Sequence, residues 1–388
     1  MTTLDPPRIL GPDGKPLRLD PDLDAPLVGP AVIAAVGDSM GGAACSAWRV
    51  WQPFKALQQH GYLAEWGFYE DPRTIGLLPA FDALIICRLG WTKRDRRAVK
   101  QQIQKWRRAG KRLFYECDDD LFTPSIIRQQ KEGIAADTPV SVLEQQRLDS
   151  LWTMRQCDGV TVSTQRLAST VRQLTDAPVE VVPNAIDVEW FQAVQRHGKR
   201  PVDGLTIGWA GGRRPDGDLR EMAVAWGRIA RRYPRVTFVV GGAQPYVISE
   251  HVPESRLKRL PWLPVWEYPV GLVGIDIGCC PLEARAFNFC KTPIKSWEYA
   301  LSGAAVVASP TVYGQCVRDG ENGFVARDAR EWEFCLSRLI EDEEHRRGLA
   351  GALKREVLEK WSLRKNYRRW PNAWRRLIEE GQEGEARA

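Results

Sequence analysis

Along most of the chain, apolar runs of four to six residues alternate with longer stretches in which apolar positions recur every three or four residues. Residues 31–36 form the first run; it ends in Gly37-Asp38, Gly41 and Gly42 follow, and a helical pattern covers 46–60. This spells strand, glycine loop, helix. Further runs at 83–87, 112–115, 159–162 and 179–182 are separated by helix-like stretches such as 94–108 and 143–156. Fully apolar runs between amphipathic helices predict a parallel, doubly wound sheet. After a polar segment at 195–204 the pattern restarts, with a strand at 205–209, a loop Gly211-Gly212-Arg213-Arg214, a helix at 218–233 and strands at 236–240, 275–279 and 305–308. Two such units predict an α/β protein of two Rossmann-like domains facing a cleft, with a helical C-terminus.

The expected layout is an N-terminal domain at 31–194, a linker at 195–204, a second domain at 205–360 and a helical segment at 361–388 that returns toward the first domain. Residues 1–30, rich in Pro, Asp and Gly and without a basic start and apolar core, read as a loosely ordered extension and not as a secretory signal.

A length of 388 residues suits two domains of this kind. No apolar stretch approaches the roughly 18 to 20 residues of a membrane-spanning helix, which excludes an integral membrane protein of that type. Nine cysteines without a Cys-x-x-Cys pair argue against a complete disulfide framework and point to the cytoplasm. Four histidines, none spaced with cysteine as a zinc site requires, leave carboxylates as the only metal candidates. The net charge of +6 suits anionic partners without choosing among nucleotide sugars, nucleic acid and lipid, and an ordinary Arg-rich surface reads equally well. At the C-terminus, Trp361, Tyr367, Trp370 and Trp374 alternate with arginines and lysines. A helix with an aromatic core face, a peripheral membrane patch and a nucleic-acid patch all fit that pattern.

The chemistry is densest at residues 276–309, DIGCCPLEARAFNFCKTPIKSWEYALSGAAVVAS. Thr292 as N-cap and Pro293 as first residue predict a helix that ends at Gly303. Lys291 and Lys295 then sit where the helix dipole disfavours cations, a conflict that a bound diphosphate would relieve. Glu298, one turn on, can accept hydrogen bonds from ribose hydroxyls. Gly211 and Gly212 let a backbone approach phosphate, with Arg213 or Arg214 in reach. This is neither a Gly-x-Gly-x-x-Gly nor a Walker pattern, so oxidoreductase and ATPase readings lose ground. Asp118, Asp119 and Asp120 follow a strand and should face the crevice, as acceptor-side groups or, in a metal-dependent variant, as ligands of a divalent ion.

Together these residues resemble the group-1 (family 4-like) glycosyltransferases of the GT-B fold. The likeness covers roughly residues 31–370 and rests on PLEARAFNFCKTPIKSWEYALSGAAVVAS, VVPNAID (181–187), IGWAGGRRPDGDL (207–219) and GENGFV (320–325), in the family's order. The resemblance implies transfer of a sugar from a nucleotide-diphosphate donor, with retention and without metal or other cofactor. It assigns Arg213 or Arg214, with Lys291 and Lys295, to the departing diphosphate, and makes Asp119, within the acceptor-side cluster Asp118 to Asp120, a catalytic candidate. It gives Gly211, Gly212, Asn288, Glu298 and Gly323 to the donor, and Gly41, Gly42, Arg49, Asp118 and Asp120 to the acceptor side. Two departures stand out: Cys290 occupies the place of the family's first Glu, with Glu283 as a substitute, and no histidine lies near the Asp cluster. The acceptor is left open among a glycan, a protein and a modified DNA base. A sugar-nucleotide binding protein without catalysis is the competing reading.

Overall fold

The computed structural model describes residues 32–36, 44–68, 82–88, 96–133, 135–212 and 215–387. The extension at 1–30, Gly41, Gly42, Arg213 and Arg214 therefore lie outside the described residues.

The first sheet comprises β1 (Val32–Val36), β2 (Ala64–Phe68), β3 (Ala83–Cys87), β4 (Arg112–Cys117), β5 (Gly159–Val162) and β6 (Val179–Val181), in the order β2-β1-β3-β4-β5-β6. The second comprises β7 (Thr206–Gly211), β8 (Thr237–Gly242), β9 (Leu257–Leu260), β10 (Ile277–Cys280), β11 (Ala305–Ala308) and β12 (Phe324–Val325), in the order β12-β11-β10-β7-β8-β9. All ten strand pairs among the described residues are parallel. The strand order reverses between β1 and β3 in one sheet and between β7 and β10 in the other, and each reversal leaves a crevice at the carboxyl ends of the strands.

Strands β3, β5, β10 and β11 are buried at every position, as strands covered by helices on both faces must be. The sequence pattern misses β2, β9 and β12. All three are sheet edges, where one flank stays wet and the apolar run that marks a central strand is not required.

Helix Ile294–Leu301 carries the dense motif and lies against the second sheet. Gly278 makes that approach possible, because a Cβ there would stand 2.3 Å from the Tyr299 ring. The Tyr299 hydroxyl in turn accepts the Ala210 amide at 3.0 Å, tying the helix to the end of β7. At the other end of the chain, helix Arg369–Arg387 sets Trp370, Trp374 and Leu377 among Phe54, Leu57 and Phe114 of the first domain. No helix among the described residues is long and apolar enough to cross a membrane.

Candidate active site

A cavity of about 240 Å³ opens between the domains at the carboxyl end of β7, beside the reversal point of the second sheet. The second domain lines it with backbone at Gly211, Gly212, Gly241 and Gly242, with Trp262 and Tyr268 from the segment after β9, and with Lys291, Lys295 and Glu298. From the first domain come Cys45, Trp48, Asp118 and Asp119.

Lys295 donates from Nζ to the Ala210 carbonyl, and its ammonium stands 6.0 Å from the centre of the Trp209 ring. A Cβ at Gly211 would stand 3.3 Å from that nitrogen and 3.2 Å from the Trp209 ring, a tight fit that glycine relieves. Glu298 is 7% exposed and bonds the Tyr268 hydroxyl, whose pKa burial and the neighbouring carboxylate both push well up.

Lys291 meets Asp119 across the cleft, Nζ to Oδ1 at 3.0 Å. The cation at the helix N-terminus thus finds its counter-charge in a carboxylate of the other domain. Arg88 approaches the same pair, with Nη1 at 3.3 Å from Asp118 Oδ1 and 3.3 Å from Asp119 Oδ2. Burial and the adjacent Asp119 raise the Asp118 carboxyl, against Arg88. For Asp119 burial also acts upward, but Lys291 and Arg88 outweigh it and hold the carboxyl below the usual carboxylate range. Among the described residues Arg88 is the one non-glycine with positive φ, at 55°. Backbone strain of this kind persists where the surroundings over-determine it, often at functional sites. The Cys45 thiol and the carboxylates of Asp118 and Asp119 lie within 4.8 Å of one another, as metal ligands would, but Arg88 and Lys291 already balance both acids.

Several residues expected at the site are used elsewhere. Asp120 caps the loop that follows β4: Oδ1 accepts the Phe122 and Thr123 amides at 3.2 and 3.0 Å, and Oδ2 accepts the Ser125 hydroxyl at 2.8 Å. Arg49 is 1% exposed and belongs to the core, where Nε meets Glu116 at 2.8 Å and Nη1 donates to the Val182 carbonyl and Asn184 Oδ1, both at 2.6 Å. Asn288 gives its amide to Asp218 at 2.7 Å and to the Glu283 carbonyl at 3.0 Å, so it braces the loop below the motif. Glu283 pairs with Arg285 and does not line the cavity. Gly323 packs where a Cβ would meet Val317 at 2.7 Å and the Val306 carbonyl at 3.0 Å, also away from the cavity. Thr292 does not cap its helix: Pro293 holds the N-cap position without a side-chain bond, and the Thr292 hydroxyl accepts the Asn184 amide from the first domain at 3.0 Å.

Sequence reading missed Arg88, Trp48, Trp262, Tyr268 and Cys45. Arg88 carried a signal, since it is the charged residue directly after a fully apolar strand, the same logic that singled out the aspartates. Trp262, 53% exposed, sits in PWLPVWEYP (261–269), a Pro-rich stretch whose aromatics have no helical or strand period.

No family model matches the chain. Over 211 residues, 51% of the chain, it is 28% identical to a Bacillus subtilis (strain 168) protein provisionally assigned as the teichuronic acid biosynthesis glycosyltransferase TuaH, and the match spans 50% of that relative's length. Sucrose-phosphate synthase from Thermosynechococcus elongatus superposes with a TM-score of 0.62 at 14% identity, covering 90% of this chain and 100% of that one. HepE of Anabaena, solved in complex with UDP-glucose, gives 0.58 at 14% identity over 92% and 100% of the two chains. The chain has the GT-B fold, two Rossmann-like domains facing a cleft, that group-1 glycosyltransferases share.

Proposed function

We propose that the protein is a glycosyltransferase that moves a sugar from a nucleotide-diphosphate donor to an acceptor hydroxyl, with retention and without a metal. The observation that carries this reading is the convergence of Lys291, Lys295 and a glycine-lined backbone on one cavity at the reversal point of the second sheet, with carboxylates opposite. In this reading the two ammonium groups receive the diphosphate and the charge that grows on it as the sugar departs. The C1–phosphate oxygen bond breaks, the acceptor oxygen bonds to C1, and the acceptor proton leaves on the departing phosphate. Glu298 accepts from ribose hydroxyls and Trp262 stacks on the base. The likeness to a teichuronic acid glycosyltransferase and to a HepE–UDP-glucose complex supports a nucleotide-sugar donor and favours a glycan over a DNA base as acceptor. The cations already beside Asp118 and Asp119 support a metal-free site.

Thermal unfolding against a panel of nucleotide diphosphates and nucleotide sugars, with and without chelator, tests the reading, followed by donor hydrolysis for each hit. A chelator-insensitive rise with one nucleotide is the expected outcome. No rise with any member would overturn it, and binding without turnover would favour a sugar-nucleotide binding protein.

A further inference from the structure

We propose that the Lys291–Asp119 ion pair is a gate that the donor's diphosphate must open, and that Arg88 is the positioning residue that lets it open. The inference rests on the donor site proposed above. Lys291 and Asp119 belong to different domains, both line the cavity, and their side chains are only 20% and 15% exposed. In that setting water competes poorly for either charge. An anion arriving at Lys291 therefore competes with the Asp119 carboxylate itself.

Left without a cation, two adjacent buried carboxylates would repel each other and resist the exchange. Arg88 removes that obstacle, because one guanidinium nitrogen stands 3.3 Å from both Asp118 and Asp119. Its left-handed backbone, at φ 55°, aims the side chain from the end of β3 at the end of β4. When Lys291 turns to phosphate, Asp119 keeps Arg88 and stays charged and in place. Its Oδ1, until then engaged by Lys291, becomes available to accept a hydrogen bond from an acceptor hydroxyl. Donor binding thus prepares the acceptor side, and the order of addition is donor first.

The experiment measures binding of UDP and of inorganic pyrophosphate to the full chain by calorimetry. Asp119→Asn removes the competing charge at constant size, and both probes should bind about tenfold tighter to it while sugar transfer falls. Asp119→Ala repeats the test without an amide. Arg88→Gly suits the left-handed backbone yet removes the guanidinium, so both probes should bind several-fold more weakly; Arg88→Lys should restore part of the loss. In the Arg88→Gly, Asp119→Asn double variant the Arg88 effect should vanish, which a merely structural role would not produce. Unchanged or weaker binding to both Asp119 variants, or an undiminished Arg88 effect in the double variant, overturns the gate alone. No binding of either probe to wild type and Asp119→Asn removes the donor site and the gate with it.

Discussion

The two walls of the cleft are built in different ways. On the second domain, Lys291, Lys295 and Glu298 come from eight consecutive positions, and backbone at the ends of β7 and β8 and the segment after β9 complete the cavity wall. The first domain's wall is assembled from Cys45, Trp48, Arg88, Asp118 and Asp119, which arrive from three separate places in the sequence. Local motifs can encode the first kind of wall; only the fold makes the second. Arg49 and Lys295 state the contrast most sharply, since each is a cation that the motif pattern assigns to the site. Arg49 is sealed in the core by Glu116, Val182 and Asn184, whereas Lys295 lines the cavity.

The largest expected effect separates those two cations. Arg49→Ala leaves the Glu116 carboxyl, already raised by burial despite Arg49, without its partner in the core. Breaking such a pair costs about 3–5 kcal/mol, a large part of the stability of an ordinary domain. Urea denaturation should show that loss, and a midpoint close to wild type would mean that the Arg49–Glu116 pair contributes little to stability. Lys295→Ala should do the reverse. Transfer should fall by roughly 100- to 1000-fold, the usual cost of one oriented stabiliser of transition-state charge, with the unfolding midpoint kept. Near-normal transfer by this variant would remove Lys295 from the diphosphate.

A smaller effect is expected at Trp262, which is 53% exposed and stands within 3.6 Å of where a Cβ on Gly212 would lie. If it stacks on the donor's base, Trp262→Ala should weaken nucleotide binding by about 1–3 kcal/mol and leave pyrophosphate binding alone. Equal loss of both ligands would point to a collapsed loop.

The same contrast explains what the sequence discloses. The central strands, the helix after Pro293 and its stop at Gly303 follow from apolar period and breaker residues, and the structure has them within a few positions. Lys291, Lys295, Glu298, Gly211 and Gly212 reach the cavity because a helix start and two strand ends fix their direction. Asn288 and Glu283 stand in the same motif and miss the cavity: the Asn288 amide nitrogen donates to Asp218, and the Glu283 carboxylate pairs with Arg285. Asp218 lies 70 residues from Asn288 and Arg285 is a loop neighbour of Glu283, so neither pairing leaves a periodic trace. Asp118, Asp119 and Asp120 were legible as a cluster, but which of them turns inward depends on Thr123 and Ser125 capturing Asp120. Arg88 carries a strand-end signal, but its place beside the aspartates follows only once β3 and β4 are known to be neighbours.

The smallest expected effect lies within the acid pair and depends on pH. Asp119 is held below the usual carboxylate range in the folded chain, by Lys291 and Arg88 against burial, while its unfolded value is near 3.9. A depressed folded pKa contributes stability that is complete above the unfolded value and is lost as pH falls through the folded one. For a partly buried pair of this kind the contribution is about 1 kcal/mol or less. The difference in melting temperature between wild type and Asp119→Asn should therefore not close from pH 7 to about pH 5 and should begin to close only below about pH 4. Asp118, raised by burial and by its neighbour, carries the opposite sign and favours the folded state as pH falls. A difference that instead closes between pH 7 and 5 would mean that Asp119 is not held ionised by the two cations, and the first domain's wall would lose the charge that sets it against Lys291.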